Sequence, residues 1–165
     1  MLFEAARWAP SSRNEQPWSF LVASRVESPE AYARVLSTLA PANAAWAGRA
    51  PVLIVAVARL NWTRDDTPNR HALYDTGQAV AQFVLQAGAL GLVVHQMAGF
   101  DAGRARDLLD IPAGHEPVVV VAAGYPGDPA TLSDELCARE SAPRRRRPLE
   151  ESVHRGTWSE PWRPR

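Results

Sequence analysis

Two stretches of the chain gather the side chains best suited to hold a small molecule. Between Pro10 and Pro17 the loop PSSRNEQP carries Ser11, Ser12, Asn14 and Gln16, hydroxyl and amide groups placed just ahead of an apolar segment. Such groups can donate to and accept from the polar edge of a ligand. They also bond nearby backbone in turns and helix caps, so a purely local role is the competing reading. Towards the other end, Arg144 to Arg147 are four consecutive guanidinium groups. One guanidinium can clamp a phosphate through two parallel hydrogen bonds. Four in a row cannot all face one ligand, and a solvated basic tail is the alternative. All 18 basic residues are arginine, so any anion site must be built from such forks or from backbone N–H groups.

Other chemistries find little support. Cys137 is the only cysteine, which excludes an internal disulfide and a multi-cysteine metal site, and no activating motif surrounds it. His71, His95, His115 and His154 are scattered without metal-ligand spacing, so no metal is expected. No G-x-G-x-x-G follows a strand, and a chain without lysine cannot carry a G-x-x-x-x-G-K-[ST] phosphate loop. No catalytic side chain is nominated. Trp46 and Trp62 read as packing or as an aromatic lid over a substrate face.

The elements that must position these residues follow from the pattern. Leu2 to Trp8 reads as the end of a helix stopped by Pro10. Trp18 to Ala23 reads as a strand. Ser28, Pro29 and Glu30 supply an N-cap, a first-turn proline and an acid for a helix to about Leu39. The run PVLIVAVARL from Pro51 predicts a strand buried on both faces, and Asn61 to Arg70 a polar loop. His71 to Leu90 is the longest helix signal, apolar around most of its circumference apart from a stripe of Gln78, Gln82 and Gln86. Such a helix belongs at a domain centre or in a subunit interface. Gly91 is its expected C-cap. Val93 to Met97 predicts a strand and Asp101 an N-cap for a helix to Leu109. Pro117 to Tyr125 predicts a second buried strand, and Thr131 to Glu140 a weaker helix. Without parallel-sheet signatures, the mixture predicts an α+β fold.

The chain's 165 residues suit one domain spanning 1–165, and 46% hydrophobic content is enough for a core. Formal net charge is zero, so neither nucleic acid nor an anionic membrane is an expected partner. No apolar run is long enough to span a bilayer, and the start MLFEAARWAP lacks the basic region and cleavage site of a signal peptide. The expected location is the cytoplasm.

Several blocks resemble one family. Ala9, Pro10, Ser11, Ser12, Asn14, Gln16, Pro17 and Trp18 resemble the first hallmark of the FMN-dependent nitroreductases: a helix ending in Ala-Pro-Ser, then an asparagine, then Gln-Pro-Trp leading into a strand. Tyr74 to Leu92 resembles the family's central helix. Gln96 to Asp128 resembles its strand, Gly-Phe-Asp turn, Leu-rich helix and closing strand. Arg144 to His154 resembles its basic, proline-containing C-terminal segment. The blocks occur in family order and cover most of the chain.

The resemblance implies an antiparallel-dominated central sheet wrapped by helices, in an intertwined homodimer with FMN at the subunit interface. NADH or NADPH and a small-molecule electron acceptor would bind in turn at one flavin face. Asn14, with Ser11, Ser12 and Gln16, would face the flavin's polar edge, although Gln16 reads equally as a brace for the loop. Backbone N–H groups of Met97, Ala98 and Gly99 would face flavin N5. Some members carry an acid where this chain has Ala98, a change that a backbone donor survives. The alternative for Gly99 is a tight turn. Arg144 and Arg146 would hold the phosphate. Family members usually begin with a further helix carrying an Arg-x-Ser-like phosphate motif, which has no counterpart here. Either the true start lies upstream, or FMN is bound weakly, differently or not at all. The implied activity is an FMN-dependent NAD(P)H oxidoreductase reducing nitroaromatic or quinone-like acceptors by hydride transfer through N5. The alternative is a cofactor-poor, non-enzymatic homologue with a binding or structural role.

Overall fold

The apolar run after Pro51 becomes the middle of a sheet. In the computed structural model, strand β2 (Val52–Arg59) pairs antiparallel with β1 (Trp18–Ser24) on one side and with β4 (His115–Gly124) on the other. Strand β3 (Val93–Met97) pairs antiparallel with β4, giving the order β1-β2-β4-β3. Leu53 to Ala58 are all buried, as expected for a strand covered on both faces. A register shift between Ala56 and Val57 interrupts the β2–β4 ladder.

The structure describes residues 1–162, which fall into two compact units divided between Pro126 and Gly127. In the first unit, alternation along the strands sends side chains into two cores. Leu53, Val55, Val57, Met97, Val120 and Ala122 pack with Tyr32, Val35 and Leu39 of helix α2 (Pro29–Thr38) and its cap, with Ala47 of α3 (Pro41–Ala47) and with Ile111 after α5 (Ala102–Leu108). Ile54 and Val121 point the other way, against Ala6 of α1 (Leu2–Arg7) and Ala79 and Phe83 of α4 (Ala72–Ala89). Phe3 lies between Phe20 and Phe83, 5.3 Å from each ring.

Several local expectations gain a physical account. Asp101 caps α5 through the Arg104 N–H at 2.9 Å. Gly91, with φ of 73°, closes α4 as the left-handed residue of a Schellman motif: Leu92 N–H donates to Ala87 O and Gly91 N–H to Gly88 O. Ser28 does occupy the cap of α2, but its hydroxyl bonds Ser24 instead of the helix N–H groups. Helix α3 has no counterpart in the sequence reading. Its segment PANAAWA starts with a proline that reads as a breaker yet is compatible with a first helical turn, and its alanines are strong helix formers.

Helix α4 differs from an all-round buried helix. Ala72, Asp75, Thr76, Ala79, Val80, Phe83 and Ala87 are buried, while Leu73, Gly77, Ala81, Leu85 and Gly88 form an exposed apolar stripe at helical spacing.

In the second unit, Asp128 caps a 3-10 turn at Pro129–Thr131, and Ser133 caps α6 (Asp134–Ser141). A further 3-10 turn covers Leu149–Glu151, and His154 stacks on Trp158 at 4.8 Å. No residue from 127 to 162 is buried.

Candidate functional site

The loop leading into β1 has an unusual backbone. Ser12–Asn14 forms one 3-10 turn, and Arg13, Asn14 and Gln16 have φ of 56°, 57° and 49°. Asparagine tolerates the left-handed region better than most residues; arginine and glutamine do not. Conformations of this kind cost about 1–3 kcal/mol each and persist only where neighbours enforce them.

The enforcing contacts are specific. Ser12 N–H donates to Asp75 Oδ2 at 2.9 Å, tying the loop to the first turn of α4. Glu15 accepts from Thr63 N–H at 2.6 Å and from Thr63 Oγ1 at 3.2 Å, tying it to the segment after β2. Gln16 N–H donates to Ser11 Oγ at 3.0 Å, and Gln16 Nε2 to Asn14 O at 3.1 Å. The Gln16 amide thus braces the loop. Pro17 O accepts from Arg59 N–H at 2.8 Å, which fixes the loop's exit onto β2. The side chain of Asn14 is exposed and meets no partner among the described residues. The Ser12 hydroxyl likewise meets no partner among the described residues.

Residues 61–67 form the neighbouring wall. Trp62 is half-buried, with the Arg13 and Arg64 guanidinium groups 5.8 and 5.6 Å from its ring centroid. Thr67 bonds Asp65 through its hydroxyl at 2.7 Å and its N–H at 3.1 Å. Those bonds, with Arg64 and Arg13 nearby, hold the Asp65 carboxyl below the ordinary range. Trp46, by contrast, packs against the core on the α2 side of the sheet and meets His95 edge-on at 4.6 Å.

The second expected group sits at the end of β3. Met97 is buried; Ala98 and Gly99 are exposed, and their N–H groups meet no acceptor among the described residues. Gly99 is not there for a left-handed turn. A side-chain carbon at this position would stand 2.7 Å from Asn43 Nδ2, and the Asn43 amide and Ala40 N–H both donate to Gly99 O. The glycine permits that close approach, and the two bonds fix the turn.

The loop at 11–16 feeds β1 and the turn at 98–99 leaves β3, the two opposite edges of the sheet. Three strand spacings separate those edges, roughly 14 Å. The structure therefore places the two groups at different edges of one chain. Arg144 to Arg147 belong to the other unit, all exposed, in a segment without regular secondary structure between α6 and the 3-10 turn; Arg146 Nη1 donates to Arg145 O at 2.9 Å. Cys137 is partly exposed on α6. Among the described residues no group of three or more His, Cys, Asp or Glu could hold a metal ion. No helix there is long and apolar enough to cross a membrane.

The sequence reading missed Asp75, Glu15 and Thr63. Asp75 did leave a signal: an acid between Ala72 and Ala79, on the side of α4 that must face the sheet.

A family model described as the nitroreductase family matches residues 1–125. The chain belongs to the nitroreductase family. The match ends next to the boundary of the first unit at Pro126. A solved oxidoreductase containing FMN superposes with a TM-score of 0.89 at 32% identity, covering 96% of this chain and 80% of that one. A nitroreductase family protein from Clostridium difficile 630 superposes with a TM-score of 0.71 at 23% identity, over 94% of this chain and 83% of that one, a likeness of fold alone. An uncharacterized 15.4 kDa protein in the ask 5′ region of Mycolicibacterium smegmatis is 40% identical over 97 residues, which are 59% of this chain and 65% of that protein. These findings fit the antiparallel four-stranded sheet and identify a nitroreductase-family oxidoreductase fold.

Proposed function

We propose that the chain is an FMN-dependent NAD(P)H oxidoreductase acting as a homodimer on nitroaromatic or quinone-like acceptors. The observation that carries the reading is the 32% identity to an FMN-containing oxidoreductase across 96% of this chain. The residues present fit such a group. Asn14 offers an unpartnered amide to the polar edge of an isoalloxazine, and the Ser12 hydroxyl of the same turn is a second candidate. Ala98 and Gly99 offer two adjacent unpartnered N–H donors for an acceptor nitrogen. Arg144 and Arg146 are the candidates for the phosphate.

FMN, when bound, supplies hydride acceptance and delivery. The protein's share is to hold and orient it, keep the ring edge hydrogen-bonded, and leave one face open to donor and acceptor in turn. The opposite-edge positions of Asn14 and Gly99 support a site assembled from two copies, in which one chain gives the loop and the other the turn. The exposed stripe of Leu73, Gly77, Ala81, Leu85 and Gly88 is the surface proposed to bury against that second copy.

The test is an absorbance spectrum of the purified protein before and after adding FMN, followed by anaerobic NADH or NADPH. A protein-bound flavin spectrum that bleaches with the nicotinamide and returns with a quinone supports the reading. Protein that takes up no FMN favours the non-enzymatic alternative.

A further inference from the structure

We propose that Asp75 and Glu15 are positioning residues that hold the loop 11–16 in its ligand-receiving shape. For Asp75 the case rests on burial and on partners. Its exposure is 2%, and its neighbours on the same helix face, Ala72 and Ala79, are apolar. A carboxylate in such a place is unfavourable unless its oxygens are bonded. No arginine or histidine pairs with it among the described residues. Its short hydrogen bond is the one from Ser12 N–H at 2.9 Å, with Gln78 Nε2 more distant at 3.5 Å. The first turn of α4 makes a negative charge more tolerable there. Core packing alone would be served by alanine at this position. The carboxylate is explained by the N–H it receives.

That N–H opens the turn holding Arg13 and Asn14, two of the loop's three left-handed residues. Glu15 stands between them and Gln16, the third, and binds Thr63 with both oxygens. The strained stretch is thus fastened before it and within it by acid side chains, one reaching in from α4 and one reaching out to Thr63. With either released, the backbone can relax to ordinary φ values, and the Asn14 amide loses its fixed direction. Neither acid touches the ligand in this account.

The identity of the ligand rests on the reading under Proposed function, whereas the clamp itself does not, so two measurements separate them. The first is amide hydrogen exchange of the full chain without FMN, read at residues 12–16 against β4 as an internal standard. Asp75→Ala is expected to speed exchange at 12–16 by about tenfold or more while β4 is unchanged. Asp75→Asn keeps an acceptor oxygen and is expected to restore most of the protection. Glu15→Gln keeps one of two acceptors and is expected to speed exchange several-fold. The second measurement is FMN titration, where Asp75→Ala should weaken binding about tenfold to a hundredfold and Asp75→Asn much less. If Asp75→Ala does not fold, Asp75→Asn and Glu15→Gln decide the exchange arm. Loop exchange unchanged in Glu15→Gln, or raised equally in loop and β4 in the Asp75 variants, overturns the clamp. If the unmodified chain binds no FMN, the cofactor reading fails while the exchange result still judges the clamp.

Discussion

Loop 11–16 is fastened to α4, to β2 and to the 61–67 segment, and its backbone holds φ values that side chains ordinarily avoid. Arg144–Arg147, in the other unit, are exposed and lie outside any helix or strand, and the side-chain bond there runs from Arg146 to the neighbouring Arg145 carbonyl. One region is shaped before any ligand arrives. The other offers charge whose geometry a ligand or a second chain must supply. Preorganisation contributes direction and selectivity, because the ordering entropy is spent on folding; unorganised guanidinium groups contribute attraction and must be ordered on binding. The loop is the proposed contact for a flavin's ring edge, and the arginines are the proposed contact for a phosphate.

The largest expected effect tests the arginine half. Changing Arg144 and Arg146 together to Gln should weaken FMN by about two to four decades, from two charge-assisted contacts of about 1.5–3 kcal/mol each. Riboflavin, which has no phosphate, should lose little. Equal losses for both ligands, or none, would return the arginines to a solvated tail.

Next comes the second copy. Leu85 is 70% exposed in the single chain, in the C-terminal half of the α4 stripe. Leu85→Glu would bury a charge in an apolar contact, and the dimer dissociation constant should rise by about two decades or more. Light scattering at low micromolar concentration should show a dimer for the unmodified chain and a monomer for the variant. A stable monomer in both cases would remove the two-copy site.

Asn14→Ala tests the loop half. It should weaken FMN by about 1–3 kcal/mol, with riboflavin weakened equally, because the ring edge and not the phosphate loses its partner. An unchanged affinity would make Asn14 a turn residue only.

The smallest effect serves as a control away from both regions. Asp101→Ala removes the side-chain cap on Arg104 N–H and should lower stability by about 1 kcal/mol without altering FMN affinity. A large loss of binding would mean that α5 and the neighbouring 98–99 turn respond as one unit.

Legibility in the sequence followed how local the determining physics is. The long apolar run of β2, the Asp101 cap and the Gly91 stop depend on a few adjacent residues, and all could be read directly. Helix α3 could not, because its opening proline and short length resemble a loop until Ala47 packs into the core. Asn14 could be nominated from its place before Gln-Pro-Trp, yet its support could not. Ser12 and Asp75 are 63 positions apart, and Glu15 and Thr63 are 48 apart. Those contacts exist only after the sheet and α4 have brought the segments together. Gly99 shows the same limit: its type was legible, but the reason, an amide from Asn43 pressed against it, was not.

The most direct test of the central claim is a titration of FMN into the purified chain, followed by visible absorbance. The account predicts saturable binding with a perturbed flavin spectrum, one FMN per chain, that bleaches on anaerobic addition of NADH or NADPH and recovers with a quinone or nitroaromatic acceptor. A folded protein that leaves the flavin spectrum unchanged at FMN concentrations well above the protein's own would contradict it.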